Sequence, residues 1–201
     1  MKRTTFVLAV ATLFTASDLT ARQNGTGFWA GGGLGIGSAR LTCRICDGPL
    51  ASRRTVTTLQ GRMGGTINQS ITFGVEANGW READEEEDVR QTFLGIGGAV
   101  YWYPSPHTAR YYVKIGFGPV FYRADEATVE AGDDAATPVT STAIGGHFGI
   151  GYEIPLAANL LFTPFFNFTG TMYGNLQQGD TELIGANPTL AQVGVGMTWR
   201  E

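Results

Sequence analysis

The sequence predicts an all-β protein, an eight-stranded antiparallel up-and-down transmembrane β-barrel with short periplasmic turns and longer extracellular loops. Three observations predict it. Apolar and small residues alternate with period two over long stretches, which is the periodicity of a strand. Eight such segments are joined by connections that alternate strictly between short and long. Aromatic side chains gather at both ends of the segments, as they do where a protein meets the two faces of a membrane.

Composition narrows the class first. The chain has 201 residues, a charged fraction of 16%, 29 glycines and a formal net charge of −4. One domain is the prior for that length. The negative charge argues against nucleic acid as a partner. No run of 18 or more apolar residues is present, so no membrane-spanning helix is expected. Residues 1–21 read as a cleaved signal peptide, leaving 22–201 as a single barrel domain. Lys2 and Arg3 precede an apolar run from Phe6 to Phe14, and Leu19-Thr20-Ala21 or Thr15-Ala16-Ser17 offers a cleavage site.

The segments fall at about 28–40, 55–68, 71–82, 89–103, 110–123, 140–153, 160–172 and 189–199. Asn68-Gln69-Ser70, Pro104 to Ala109 and Ile154 to Asn159 are the short turns, rich in residues that reverse a chain. Residues 41–54, 83–88, 124–139 and 173–188 are the longer loops. Centring each hairpin on its turn gives a register. It sets Trp102 opposite Tyr111, Val100 opposite Val113 and Leu94 opposite Pro119. It sets Met63 opposite Val75, Ile67 opposite Ile71 and Arg62 opposite Glu76, and also Tyr152 opposite Phe162 and Phe148 opposite Phe166. Large meets large and small meets small. Pro119 and Pro164 fall inside strands, where each removes a ladder donor, and a local bulge is expected at each.

The direction of closure follows from the small face. It carries glycines, among them Gly33, Gly35, Gly64, Gly97, Gly118 and Gly194. It also carries Gln60, Arg62, Glu76, Asn78, Lys114, His147, Glu153, Asn167 and Gln192. Glycine is a poor solvent surface and fits a narrow interior, so the large apolar face points out to lipid. A soluble lipocalin-like barrel, with that face inward around a ligand, is the alternative. Phe28, Trp29, Tyr101, Trp102, Tyr103, Tyr111, Tyr112, Tyr152 and Trp199 form an aromatic girdle at the turn end. Trp80, Phe93, Phe121, Tyr122 and Tyr173 form another at the loop end.

On these residues the chain resembles the small eight-stranded outer-membrane β-barrel proteins, the OmpA-transmembrane-domain, OmpX and OmpW kind within the porin superfamily. The resemblance rests on the opening Gly27-Phe28-Trp29, on Gly74-Val75-Glu76 with Trp80, on the hairpin over residues 89–123, and on the closing Val193-Gly194-Val195-Gly196-Met197-Thr198-Trp199. It implies export to the cell outer membrane of a diderm (Gram-negative) envelope. It also implies that a terminal aromatic, here Trp199 followed by Arg200 and Glu201, is read by the barrel-assembly machinery.

Arg62, Glu76 and Lys114 are the lumen charges of interest. An ion path or gate is one reading; a structural ion-pair network that plugs the barrel is the expectation, because eight strands enclose only enough room for side chains. Cys43 and Cys46 lie in the first long loop of an exported protein, where a local disulfide is expected, with a redox pair or zinc ligands as alternatives. Glu82 and Asp84 to Asp88 make one acidic loop cluster, and Asp125, Glu126, Glu130, Asp133 and Asp134 another. Divalent-cation binding and a solvated loop tip are the two readings. His107, His147 and Ser141 show no nucleophile–base spacing.

No catalytic residue, cofactor or metal is therefore expected, and the chain is read as no enzyme. The expected function is an integral outer-membrane barrel with a plugged lumen and a structural or surface-interaction role, in envelope integrity or adhesion. A passive carrier for small hydrophobic molecules through the barrel wall is the alternative, and a lipid-modifying enzyme a third. The expected partners are outer-membrane lipid and lipopolysaccharide, the assembly machinery during biogenesis and a surface ligand, with the chain a monomer.

Overall fold

A computed structural model of the chain describes residues 27–43, 53–84, 89–105, 110–126, 138–178, 181–183 and 185–201. The signal-like residues 1–21, His107, Cys46 and most of both acidic clusters lie outside them, as do the side chains of Cys43 and Tyr173.

The described residues form ten strands: β1 Phe28–Cys43, β2 Arg54–Asn68, β3 Ile71–Asp84, β4 Val89–Trp102, β5 Tyr111–Glu126, β6 Val139–Tyr152, β7 Ile154–Pro155, β8 Leu160–Gln178, β9 Thr181–Leu183 and β10 Ala186–Arg200. The eight long ones pair antiparallel in chain order, and β10 pairs with both β8 and β1, which closes the barrel. The two short ones only lengthen the ladders of β8 at its ends. Closure leaves no unpaired edge among the long strands, the condition for a sheet to sit in hydrocarbon.

Alternation survives along most of each long strand, with register shifts at Thr66/Asn68 and Thr142/Ile144. Leu34, Ile36, Leu59, Val75, Ile115 and Phe117 are exposed on the outer wall, the last at 74%. All nine polar residues read onto the small face are buried. An exterior more apolar than the interior is an inverted protein in water and a normal one in lipid.

Strand ends and registers differ from the sequence reading in detail. Residues 173–178 and 181–183, read as loop, continue as strand, because Leu176, Gln177 and Gln178 pair with Leu183, Glu182 and Thr181. In the central hairpin Trp102 faces Val113, Val100 faces Ile115 and Leu94 faces Phe121. That is two residues away from the turn-centred register. The turn is lopsided: the Tyr103 N–H donates to the Ser70 carbonyl at 2.8 Å instead of to β5.

Phe148 faces Phe168, not Phe166, because β7 pairs with Leu161 and Phe162 and moves the reversal later in the chain. Between β2 and β3, Arg62 faces Glu76 and Met63 faces Val75 as expected, but Ile67 is bulged out and Asn68 faces Ile71. Asn68 Oδ1 accepts from the N–H groups of Ser70 and Ile71, both at 2.9 Å, and caps that turn.

Neither in-strand proline makes a bulge. Pro164 keeps its pairing with Val195. At Pro119 the β4–β5 ladder is interrupted between Gly95–Val120 and Gly98–Phe117, with the register unchanged on both sides. A missing donor breaks hydrogen bonds there without adding a residue.

Candidate functional site

Among the described residues the lumen concentrates charged and polar side chains out of water, and it is layered. At the turn end Trp29, Ala99, Tyr101, Tyr103 and Tyr112 make an aromatic layer. At the loop end Ala39, Leu41, Val56, Trp80, Phe93, Val120, Tyr122, Ala124 and Leu190 make an apolar one. Between them lies a polar band. Its links are Asn167 Nδ2 to Gln60 Oε1 at 2.7 Å, Gln192 Nε2 to Asn78 Oδ1 at 3.0 Å, and His147 Nδ1 with Thr169 Oγ1 at 3.0 Å.

Glu76 and Lys114 are brought together. Lys114 Nζ lies 2.5 Å from Glu76 Oε2, and both side chains are almost wholly buried. The same carboxylate accepts from Tyr101 Oη at 2.9 Å and, through Oε1, from Asn78 Nδ2 at 3.3 Å. Three donors on one carboxylate offset much of the cost of burying it.

Arg62 is placed differently from the expected ion-pair network. Its backbone faces Glu76 in the ladder, yet its guanidinium meets no carboxylate among the described residues. It donates to Tyr112 Oη at 2.8 Å and Thr198 Oγ1 at 2.6 Å. The rings of Tyr112, Tyr101 and Trp29 surround it, with centroids 5.2, 5.6 and 5.8 Å from Cζ. A cation held by three aromatic faces is stabilised by their quadrupoles without a counter-charge.

The girdle assignment is corrected for seven of its fourteen residues: Trp29, Trp80, Phe93, Tyr101, Tyr103, Tyr112 and Tyr122 are buried in the lumen. Trp102 and Tyr111 face outward, 53% and 40% exposed, and Trp199 is half-buried against Phe28. Trp29 and Trp80 are 2% and 6% exposed and point into the lumen. The reason is face parity: Trp29 shares the face of Gly31, and Trp80 that of Asn78. Trp29 packs edge-on to Tyr101 at 5.1 Å, and Trp80 stacks on Phe93 at 6.3 Å. Tyr101, Tyr103 and Tyr112 turn inward by the same rule.

A second charged group was not singled out from the sequence. Arg200 Nη2 lies 2.7 Å from Glu153 Oε1 and also donates to Tyr103 Oη, while Tyr103 Oη donates to the same carboxylate oxygen at 2.9 Å. This trio closes the turn-end mouth. The parity of Gln192, Gly194, Gly196 and Thr198 carries on to Arg200, so the inward direction of that guanidinium was readable. Past the end of β4, burial and the Glu153 carboxylate both push the Tyr103 phenol well above its ordinary pKa, so it stays protonated as a donor.

His147 and Ser141 do not form a catalytic pair. The imidazole bonds Thr169, and Ser141 faces Tyr122 farther up the wall. No group of three or more possible metal ligands occurs among the described residues.

Solved structures share this architecture. Neisserial surface protein A is 14% identical, with a TM-score of 0.57 over 86% of this chain and 96% of its own. The attachment invasion locus protein Ail of Yersinia pestis is 10% identical, with a TM-score of 0.55 over 86% and 99%. A major outer membrane protein from Thermus thermophilus is 9% identical, with a TM-score of 0.56 over 88% and 99%. At such identities the likeness is one of fold. No curated protein sequence matches the chain. Residues 6–200 match the outer membrane protein beta-barrel domain family, so the chain belongs to that family and is a barrel protein of the outer membrane.

Proposed function

We propose that the chain serves as a closed barrel with a structural and surface-contact role, and not as a pore. One observation carries the reading: side chains fill the lumen in every layer. The Arg200–Glu153–Tyr103 trio and the Arg62 cage occupy the turn end, the Lys114–Glu76 pair and the amide links the middle, and the apolar layer the loop end. A cavity there is about 10 Å³, room for about one water. Conduction needs a continuous wet path, and the filling of these layers by described side chains argues against one.

In this reading residues 1–21 are removed on export, the assembly machinery inserts the barrel, and lipid and lipopolysaccharide cover its wall. The four loops meet the outside, in adhesion or envelope integrity. The direct test is purified barrel in a planar bilayer. Wild type and Glu76→Ala are both expected to give no stable conductance; a large stable conductance from either overturns the closed lumen. Loss of surface binding on trimming the loops tests the contact role.

A second reading, sideways passage of small apolar molecules through the wall, is favoured by the broken ladder at Pro119. It requires that deleting the chain lowers uptake of such molecules and that Pro119→Thr, which restores the donor, does the same.

A further inference from the structure

On the outer wall, positive charge is confined to one end. Among the described residues, every arginine or lysine of the long strands that faces outward stands within four residues of the loop end. These are Arg40 of β1, Arg81 of β3, Arg90 of β4 and Arg123 of β5, and all four are exposed. At the turn end the outward side chains include Phe28, Trp102, Tyr111 and Tyr152.

Three of the four arginines form one cluster. Arg81 faces Thr92 across β3 and β4, and Thr92 faces Arg123 across β4 and β5, so the three share a register row. Adjacent strands lie about 4.8 Å apart, which sets the two arginine backbones about 10 Å apart with Thr92 between them. Arg90 stands on β4 one pleat nearer the loops, above Thr92. Three guanidinium-bearing positions therefore surround one hydroxyl.

Among the described residues Asp125 is the outward carboxylate of this cluster; Glu82 keeps the inward parity of Trp80. Asp125 faces Arg90 in the ladder, and its Oδ1 and Oδ2 accept from Arg123 Nε at 2.8 and 3.0 Å. That contact holds Arg123 by Nε and leaves its forked Nη end for a second anion. Arg81 and Arg90 make no ion pair among the described residues. Three guanidiniums less one carboxylate leave a formal charge of two positive units.

The level of the cluster selects the ligand. One pleat below the row stand Gly79, Leu94 and Phe121, and Leu94 and Phe121 are exposed on the apolar wall. The arginines thus lie where acyl chains give way to headgroups. Arginine forks bind phosphate oxygens in pairs. A phosphate monoester carries a charge of about −1.5 to −2 at neutral pH, which matches the cluster; a diester carries about half of that.

We propose that Arg81, Arg90 and Arg123, with the Thr92 hydroxyl, form a docking site on the outer wall for a lipid phosphate monoester, that of the lipid A moiety of lipopolysaccharide. Its acyl chains lie along Leu94 and Phe121. The inference rests on the loop end facing the outer leaflet, as in the surface-contact reading, and names the groups that hold the lipid covering this wall. It uses no side chain of the lumen.

The test is native mass spectrometry of the full-length mature protein, refolded in a zwitterionic detergent. It is incubated separately with lipid A, with lipid A stripped of both phosphates, and with phosphatidylglycerol, a diester. Wild type is expected to retain lipid A, and neither of the others at the same concentration. Arg81→Gln with Arg123→Gln, at exposed positions and keeping the heat-modified band, is expected to weaken retention about ten-fold. Arg40→Gln, which removes an outward arginine outside the cluster, is expected to bind as wild type.

The proposal is overturned if wild type retains no lipid A, if the stripped lipid or phosphatidylglycerol is retained equally, or if the double variant binds as wild type. An equal loss from Arg40→Gln also overturns it, because diffuse attraction and not a site would then hold the lipid. A barrel that neither retains lipid A nor conducts loses this site and keeps the closed lumen. A conducting barrel that retains lipid A through these arginines loses the closed lumen and keeps the site.

Discussion

Glu76 shows what a single residue does in this lumen. Its carboxylate takes Lys114, Tyr101 and Asn78 together, so removing it strands an ammonium in a dry interior. Glu76→Ala is expected to cost about 3 kcal/mol, read as a lower urea midpoint in lipid vesicles. Adding Lys114→Met should recover part of that loss, because the stranded charge goes with it. A double variant as unstable as the single one would mean the pair is not the unit.

The tryptophans show where residue-scale reading succeeded and where it slipped. Position along the strand suggested a lipid girdle for all four. Face parity, present in the same residues, separates Trp102 from Trp29 and Trp80. Glycine at position 74 leaves room for the Trp29 indole, a cross-strand fit that no single strand displays. Single-tryptophan variants in brominated lipid check the assignment. Trp102 should be strongly quenched and Trp29 spared; equal quenching would return Trp29 to the outer wall.

At the scale of the element, alternation alone carried the strands, and the faces it assigned to the nine polar residues hold. Registers were less legible because a turn-centred guess assumes symmetric turns. The Ser70 carbonyl captures Tyr103, and β7 extends the β6–β8 hairpin; both act between strands or within loops. Both of these slips were by two residues, so no face was lost; only the bulge at Ile67 shifted a pairing by one. Where β2 meets β3, Gly64 and Gly74 sit opposite each other. A β-carbon on Gly64 would overlap the Phe73 carbonyl oxygen, which belongs to backbone and has little room to move. Gly64→Ala is therefore expected to abolish the folded, heat-modifiable species in refolding yields. A normal yield would show that this pair of strands can separate at no cost.

At the scale of the whole molecule, the inversion of polarity decides the setting. Phe117, Ile115 and Leu59 are exposed, while Arg62, Glu76, Lys114 and His147 are buried. Burying that outer wall in lipid removes from water a surface that a soluble protein would hide in its core. The sequence showed this much because both faces of each strand are written in period two. It did not show the three-layer filling, the Arg62 cage or the Arg200 closure, because each joins side chains from strands far apart in the chain.

The measurement that bears most directly on the account is gel mobility of the outer-membrane fraction before and after boiling. Expressed from its full sequence, the protein should fractionate with outer membranes and change mobility on heating, as a closed barrel that resists detergent does. A soluble periplasmic protein with one mobility would contradict it, and the apolar wall would then have to face inward.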